Sequence, residues 1–486
     1  MTELPTSLAA IDLGATSGRV VLGIVDGGTA RLETISRFDT RPVAVNGLLR
    51  TDARALLAHA LRGLAQASRT GTSIASISVD SWAADYGTLH SGELLEMPLH
   101  YRDDSIAEGR RSVELQASTW TLYENSGLQP LPFNTIYQLA TPTARRILPQ
   151  ADQLLLLPDL IRFWLSGEPV SERTIASTTG LLNATTHDWD PNLLKYTAAT
   201  LNQLAPLVDP GTITGVVNRA TALEYSLPPG IRVTAVGSHD TASAVAAIPA
   251  DGEGELVFIS SGTWSLVGCE LEKPLLTRAA LEQGFSNELG VDGRIRFIHN
   301  VMGLWLFTET TREWGLEGDP AATDHLLEAA TEVTGAIPIF NVNDPVFFAP
   351  GAMSGRIREH CAREGLTVPT SRAMLVRSIL ESLSVAYAKT IDRLKGLTGY
   401  QPKCIHIVGG GSMNQLLCQL TADATGLIVV AGPTEATALG NILIQARANG
   451  IVRGSLEQLR RIVAESSILK TYSPKVAAPT SRRSPA

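Results

Sequence analysis

Ala10-Ile11-Asp12-Leu13-Gly14-Ala15-Thr16-Ser17-Gly18-Arg19-Val20 is a strand, a turn and the start of a second strand. The first strand, residues 8–11, ends at Asp12, and the answering one, residues 20–25, runs to the reversal at Asp26-Gly27-Gly28. Between them lies a turn of small and hydroxyl residues. A phosphate cradle needs inward-pointing N–H groups and no bulky side chain in the way, so Gly, Ser and Thr crowd such turns. Gly14, Ala15, Thr16, Ser17 and Gly18 meet that requirement, and Arg19 adds positive charge. Alone, the stretch reads more readily as an ordinary tight hairpin loop. The same pattern returns in the second half: a strand over 255–259, the turn Ser260-Ser261-Gly262-Thr263, and a strand over 264–268. Two such turns, each opening half of the chain, point to a duplicated α/β architecture that holds a nucleotide.

The remaining pattern agrees with a mixed sheet. Asn46-Gly47 marks a hairpin. Residues 52–67 place Leu56, Leu57, Ala60, Leu61 and Leu64 at helical spacing, and residues 74–79 return to strand before Asp80-Ser81-Trp82-Ala83-Ala84-Asp85. In the second half a long helix is expected over 371–397, a strand over 404–408, a helix over 414–424 and a strand over 427–430. The boundary is expected at 248/249, with Pro249 to Gly254 as hinge, giving domains 1–248 and 249–474. Residues 475–486, rich in Pro, Ser and Ala, are expected to be a disordered tail.

Bulk properties narrow the function. A chain of 486 residues is too long for one ordinary core, and 44% hydrophobic against 18% charged residues is the balance of a globular protein. A net charge of −8 disfavours a general nucleic-acid surface. Cys269, Cys361, Cys404 and Cys418 form no CxxC pair, which reads as buried reduced thiols. No signal peptide and no membrane-spanning run is recognised, so a cytoplasmic protein without a membrane partner is expected.

Candidate chemistry centres on Gly237-Ser238-His239-Asp240-Thr241, a polar cluster closing an apolar run. Asp240 reads as a general base that takes a proton from a substrate hydroxyl during phosphoryl transfer. The cluster also reads as the N-cap of a helix starting near Ala242, with Thr241 able to cap while Asp240 reacts. Asp12, at a strand end beside the first cradle, is a candidate Mg²⁺ ligand together with Asp240. Trp82 with Asp80 and Asp85, and Arg102 with Asp103, offer polar groups beside an apolar wall, as sugars require. The competing reading is a charged surface loop anchored by one Trp. Gly409, Gly410 and Gly411 follow a strand and precede a helix, which permits close approach of a flat or anionic ligand. No GxGxxG and no GxxxxGK[ST] occurs, so neither a dinucleotide fingerprint nor a P-loop holds the nucleotide. Trp305 reads as core, and His59, His90, His325 and His360 have no metal-ligand spacing.

The ordered set of motifs resembles the FGGY carbohydrate kinases of the actin/Hsp70-like ATPase superfamily, and within them the rhamnulokinase subfamily. It comprises residues 10–20, 131–139, 238–245, 260–266, 300–306, 407–411 and 431–436, so the resemblance covers nearly the whole chain. It implies an α/β fold of two actin-like ATPase (ribonuclease H-like) domains with a nucleotide and sugar cleft between them. It implies ATP and Mg²⁺ as cofactors and a small-molecule ketose as substrate, in a monomer or homodimer that binds no nucleic acid. By that resemblance Ala15 to Arg19 and Thr263 contact the ATP phosphates, Gly410 the adenosine end, and His239, Thr241 and Asn300 the ketose. Asp240 is the proton acceptor, and the reaction is transfer of the γ-phosphoryl group to the C1 hydroxyl of L-rhamnulose. Two positions depart from the subfamily pattern. Ser81-Trp82-Ala83 stands where Thr-Trp-Gly is usual, and Thr308 where relatives often carry Gln near ATP. A kinase for L-fuculose, L-ribulose or D-xylulose, a non-catalytic actin-like ATP-binding protein and, lowest, a sugar-sensing regulator are the alternatives left open.

Overall fold

The computed structural model describes residues 6–26, 28–69, 73–250 and 255–475. Most of the expected hinge, Asp251 to Gly254, and most of the expected tail, Val476 to Ala486, lie outside the described residues. The chain packs as two compact units. The first comprises Met1–Gly252, Glu270–Phe297 and Ala436–Ser466, and the second Glu253–Cys269, Ile298–Glu435 and Ser467–Ala486.

The first unit is built on a sheet whose opening strands are the predicted hairpin: β1 (Thr6–Leu13), β2 (Ser17–Asp26) and β3 (Thr29–Asp39). The Asn46-Gly47 turn also forms, both residues taking the positive φ (52° and 78°) that a two-residue hairpin loop demands. The helix α1 (Ala53–Arg69) follows, its first turn capped by the Asp52 carboxylate, which accepts from Ala55 N at 2.9 Å. Its Leu57, Leu61 and Leu64 join Ile11, Leu13 and Val20 in one buried cluster. Then come β4 (Ser73–Ser81), β5 (Ile213–Val216) and β6 (Arg232–Thr234), completing the order β5-β6-β4-β1-β2-β3. β1 pairs antiparallel with β2 and parallel with β4, and β4 pairs parallel with β6. The carboxyl ends of three parallel strands therefore open on one edge.

The second unit repeats this plan. β7 (Val257–Ser261) and β8 (Trp264–Leu271) form the second hairpin, and β9 (Ile295–Met302) lies beyond β8. β10 (Cys404–Val408) and β11 (Ile428–Ala431) run parallel to β7, and β12 (Lys470–Tyr472) closes the edge antiparallel. With the strand Ser286–Leu289 added beyond β9, the sheet has seven strands. Its order β9-β8-β7-β10-β11-β12 matches β3-β2-β1-β4-β6-β5 in strand direction at each pair for which register is defined, although β12 follows β11 in the chain where β5 precedes β6. Duplication is thus visible in topology where sequence similarity between the halves is weak. The long helix runs over Arg372–Thr398, capped by Ser371 Oγ, which accepts from Met374 N, and ended by Gly399 at φ +77°. Val376, Ile379, Leu380, Leu383 and Tyr387 form its buried stripe, as the periodicity requires.

Two segments from late in the chain complete the first unit. Strand Ser286–Leu289 turns through Gly290, whose N–H donates to Arg294 O at 2.7 Å, into the start of β9. The helix Ala436–Ala448 packs so closely on the helix Asp240–Ala246 that a Cβ on Gly440 would sit 1.8 Å from Ser243 O. Val236, Ala246, Val291, Ile444 and Leu456, from four parts of the sequence, share one small core.

Candidate active site

In the first unit, Asp12 and Asp80 are register partners at the ends of the parallel strands β1 and β4. The next residues hold the third element in place: Ser81 N–H donates to Ser238 O at 2.9 Å and Trp82 N–H to Leu13 O at 3.2 Å. Segment 237–240 is pinned from several sides. Ser238 N–H donates to the buried Glu172 carboxylate (3.0 Å), His239 N–H to Thr174 Oγ1 (3.3 Å), and Ser243 Oγ to Gly237 O (2.7 Å). Gly237 has no room for a side chain, since a Cβ would lie 2.9 Å from Ser243 N.

Asp240 lies at the first position of helix Asp240–Ala246, two residues earlier than the sequence reading placed the helix start. His239 is the N-cap residue but makes no side-chain capping bond, and Thr241 is inside the helix, its Oγ1 donating to Asp240 Oδ1 at 3.1 Å. The tertiary bonds to Ser238 and His239 set the entry angle and leave no need for a hydroxyl cap. The Asp240 side chain keeps 30% of its exposure, whereas Asp12 keeps 6%. Asp12 is engaged by Arg19, whose Nε and Nη2 donate to its Oδ2 at 2.8 and 2.6 Å. Arg19 thus neutralises a strand-end carboxylate as well as standing beside the turn.

Asp80 is a residue to which sequence reasoning gave only a supporting place. It is fully buried, and burial first, then the Asp12 charge, push its carboxyl well above the usual range, with Asp240 adding to the effect. Asn441 opposes this by donating Nδ2 to Asp80 Oδ2 at 2.6 Å, and Gln445 supports Asn441 while also donating to Ala9 O. Asp80 Oδ1 is buried with no hydrogen-bond partner. These carboxylates do not converge on one coordination point: among the described residues no group of three or more His, Cys, Asp or Glu could hold a metal alone. A net negative strand-end with Asp12 and Asp240 fits a hydrated Mg²⁺, which favours one or two carboxylates and completes its shell with water and phosphate oxygens.

The turn Gly14–Ser17 is closed by Gly14 N–H donating to Ser17 O at 3.1 Å. Thr16 and Ser17 are exposed and Ala15 half-buried. Trp82 is buried and Ala83 half-buried, while Asp80 and Asp85 are sealed in, so the alternative of a charged surface loop is overturned. Asp85 Oδ1 accepts from Tyr101 N (2.9 Å) and Oδ2 from Thr51 Oγ1 (2.6 Å), tying this loop to Arg102 and Asp103. Burial raises Asp85 to about 7 against those hydrogen bonds. Arg102 is half-buried with Nε donating to Tyr101 Oη at 2.9 Å. Asp103 has both oxygens occupied, one by Leu49 N–H and the other by Ser105.

The second unit gathers the remaining candidates. Gly262 N–H donates to Trp264 O (2.8 Å), and the turn rests on the next loop through Leu304 N–H to Gly262 O (2.9 Å) and Trp305 N–H to Thr263 O (3.2 Å). That approach requires Gly303, where a Cβ would meet the Trp264 backbone carbonyl carbon at 2.5 Å. Asn300 is half-buried on β9, and Thr308 is exposed in the first turn of the helix Trp305–Glu313. Trp305 is core, its Nε1 donating to Phe347 O. Gly409 takes φ +81°, and Gly411 lies against Ser261, where a Cβ would sit 2.0 Å from Oγ. The helix expected over 414–424 forms as Gln415–Thr425, capped by Asn414 through its Oδ1, and a 3-10 turn, Gly410–Met413, leads into it from the triple glycine. Of the four thiols Cys404 alone is half-buried, and none is in a disulfide.

The chain matches the N-terminal domain of the FGGY family of carbohydrate kinases over residues 8–247 and the C-terminal domain over residues 257–449. It belongs to that family. This FGGY chain is 38% identical over 476 residues to a rhamnulokinase of Bacteroides thetaiotaomicron, covering 96% of this chain and 95% of the other. A rhamnulokinase of Bacillus subtilis is 36% identical over 467 residues, with 96% and 95% covered. In fold the FGGY chain is similar to a xylulose kinase from Lactobacillus acidophilus (TM-score 0.77, 18% identity, 97% and 94% covered). It is also similar to Plasmodium falciparum glycerol kinase with ADP (TM-score 0.74, 15% identity, 97% and 94% covered). The protein has the two-domain actin-like ATPase fold and is a carbohydrate kinase, a phosphotransferase acting on a small-molecule sugar. No described helix is long and apolar enough to cross a membrane.

Proposed function

We propose that the protein transfers the γ-phosphoryl group of ATP to the C1 hydroxyl of L-rhamnulose, giving L-rhamnulose 1-phosphate in the cytoplasm, with Asp240 as proton acceptor. The observation that carries the reading is the exposure of Asp240 at the start of its helix, beside Asp12 and Asp80, which are closed off. A base must be reachable by the hydroxyl it serves, and of these three carboxylates Asp240 is the accessible one. The rhamnulokinases among its relatives supply the choice of ketose.

In this reading the residues act as follows. The Gly14–Arg19 turn and Thr263 orient phosphate oxygens, while Gly409, Gly410 and Gly411 leave room for the adenosine. His239, Thr241 and Asn300, with the wall of Trp82 and Ala83 and the polar groups of Arg102 and Asp103, orient the ketose. Asp240 then accepts the hydroxyl proton late, as expected for a loose phosphoryl-transfer transition state. Asp12 and Asp240 are the residues that would hold Mg²⁺ through water. When bound, the ion neutralises charge developing on the phosphate oxygens. The Ala83 methyl replaces a hydrogen in the sugar wall and narrows it slightly.

Steady-state turnover on L-rhamnulose, L-fuculose, L-ribulose and D-xylulose at saturating ATP·Mg²⁺, read by ADP release, tests the assignment. The highest kcat/KM is expected on L-rhamnulose. A higher value on another ketose reassigns the substrate within the family, and ADP release unaffected by any sugar overturns the kinase mechanism.

A further inference from the structure

In the first unit two charged residues on otherwise buried strands close around the ring of His239. Glu288, on strand Ser286–Leu289, places Oε2 3.1 Å from His239 Nδ1, and Arg296, on β9, places Nη2 3.0 Å from the same nitrogen. Glu288 and Arg296 pair with each other at 2.9 Å. On the opposite side of the ring, Nε2 lies 3.4 Å from Asp240 Oδ1. The Arg296 side chain is entirely buried, and its Nε and Nη2 both donate to Leu289 O, which anchors that edge of the guanidinium beside the ring. Burial alone would raise the Glu288 carboxyl, but Arg296 and then His239 more than offset it, holding it below the usual range.

Charged groups withdrawn from water are poor packing material, because desolvation opposes their mutual attraction. Here the pair surrounds one nitrogen of a ring whose other nitrogen faces the candidate base. A ring with a charged neighbour on each nitrogen has one preferred orientation. We propose that Glu288 and Arg296 are positioning residues that hold the His239 imidazole with Nε2 toward the carboxylate of Asp240, and that they act on ketose turnover through that ring. This rests on the reading of Asp240 as proton acceptor. Neither residue touches the reacting atoms. Both belong to a segment that follows the boundary expected from sequence, which is why sequence reasoning did not connect them with the 237–241 cluster.

A double-mutant cycle decides it. Full-length wild type, Glu288→Gln, His239→Asn and the double variant are compared on L-rhamnulose, or on the ketose wild type prefers. kcat, KM for the ketose, KM for ATP and the unfolding midpoint are measured for each. Glu288→Gln is expected to lower kcat/KM for the ketose about tenfold, within the range for a displaced positioning group, and to change KM for ATP less than about twofold. Added to His239→Asn, it is expected to lower kcat/KM by less than about twofold more. The same cycle is run with Glu288→Asp, which keeps the charge beside Arg296 but withdraws it from the ring, so a folding defect in one variant leaves the other readable. An active wild type in which the Glu288 change loses the same factor in both backgrounds, or loses nothing, or raises KM for ATP as much as for ketose, overturns the positioning role alone. A wild type that turns over no ketose overturns the reading of Asp240 and this inference with it.

Discussion

At the scale of single residues, the site separates carboxylates by access. Asp80 and Asp85 are sealed, Asp12 is bonded to Arg19, and Asp240 is reachable. Replacing Asp240 with Asn retains the shape at the helix start and the contact with Thr241. The unfolding midpoint is therefore expected to stay within a few degrees while kcat falls by a factor of about 10²–10⁴, the range for a positioned base. Near-normal kcat in that variant would remove Asp240 from the mechanism. Asp85 gives a separate prediction, about stability. Its pKa is about 7 when folded against 3.8 unperturbed, so between those values the folded protein binds more protons than the unfolded chain. Stability from this group is therefore greatest below about pH 4, declines as pH rises, and is level above about pH 7. Asp85→Asn can keep both partners, Tyr101 N–H and Thr51 Oγ, without burying a charge. It is expected to match wild type near pH 4, to exceed it increasingly up to about pH 7 and by a constant margin above that, at most about 4 kcal/mol from a three-unit shift. Unfolding midpoints measured across that range check it, and a difference that does not vary with pH would show that Asp85 is not the group responsible.

At the scale of elements, periodicity and turn chemistry carried most of what was legible. The helix Arg372–Thr398 was visible because its apolar stripe repeats over many turns and a serine and a glycine stand at its ends. The paired hairpins were visible because a two-strand unit with a small-residue turn is a local pattern. The start of helix Asp240–Ala246 was misread by two residues because local capping preference was the available signal, while bonds from Glu172, Thr174 and Ser81 fix the chain there. The helix Gln415–Thr425 was visible because Asn414 is a strong capping residue, whereas the 3-10 turn Gly410–Met413 before it carries no such local signal. Close element contacts give the next prediction. Gly440→Ala forces the helix Ala436–Ala448 away from Ser243 O, so the helix bearing Asp240 must shift. A loss of roughly 1–3 kcal/mol is expected from overpacking, with kcat reduced more than KM for ATP. Chemical denaturation and steady-state kinetics read the two effects, and an unchanged midpoint would mean the helices separate without strain.

At the scale of the whole molecule, the first unit draws its parts from three stretches of chain. The fragment Met1–Ile248 would lack Asn441, which bonds the buried Asp80, and Ile444 and Leu456, which complete a core with Val236 and Ala246. It would also lose Arg460, whose Nη2 donates to Val245 O. Expressed alone, it is expected to be aggregated or without fixed tertiary packing. Near-UV circular dichroism checks this, with restored signal expected once residues 270–297 and 436–466 are supplied in the intact chain. A cooperatively unfolding, monomeric fragment would show that those late segments are accessories to a core already sufficient.

Local sequence was enough for the hairpins and the long helix, and for nominating the two turns and the candidate base, because each is written in neighbouring residues. It was also enough for membership of the FGGY family, since that rests on the order of short motifs along the chain. Tertiary structure alone decided which carboxylates are sealed and which one is open, where Asp240 enters its helix, and that Asn441, Glu288 and Arg296 stand around residues 80 and 239. Burial and charge pairing depend on what arrives from far along the chain. No spacing rule relates positions 80 and 441, or 239 and 288, until the sheets have formed and the late helix has closed over them.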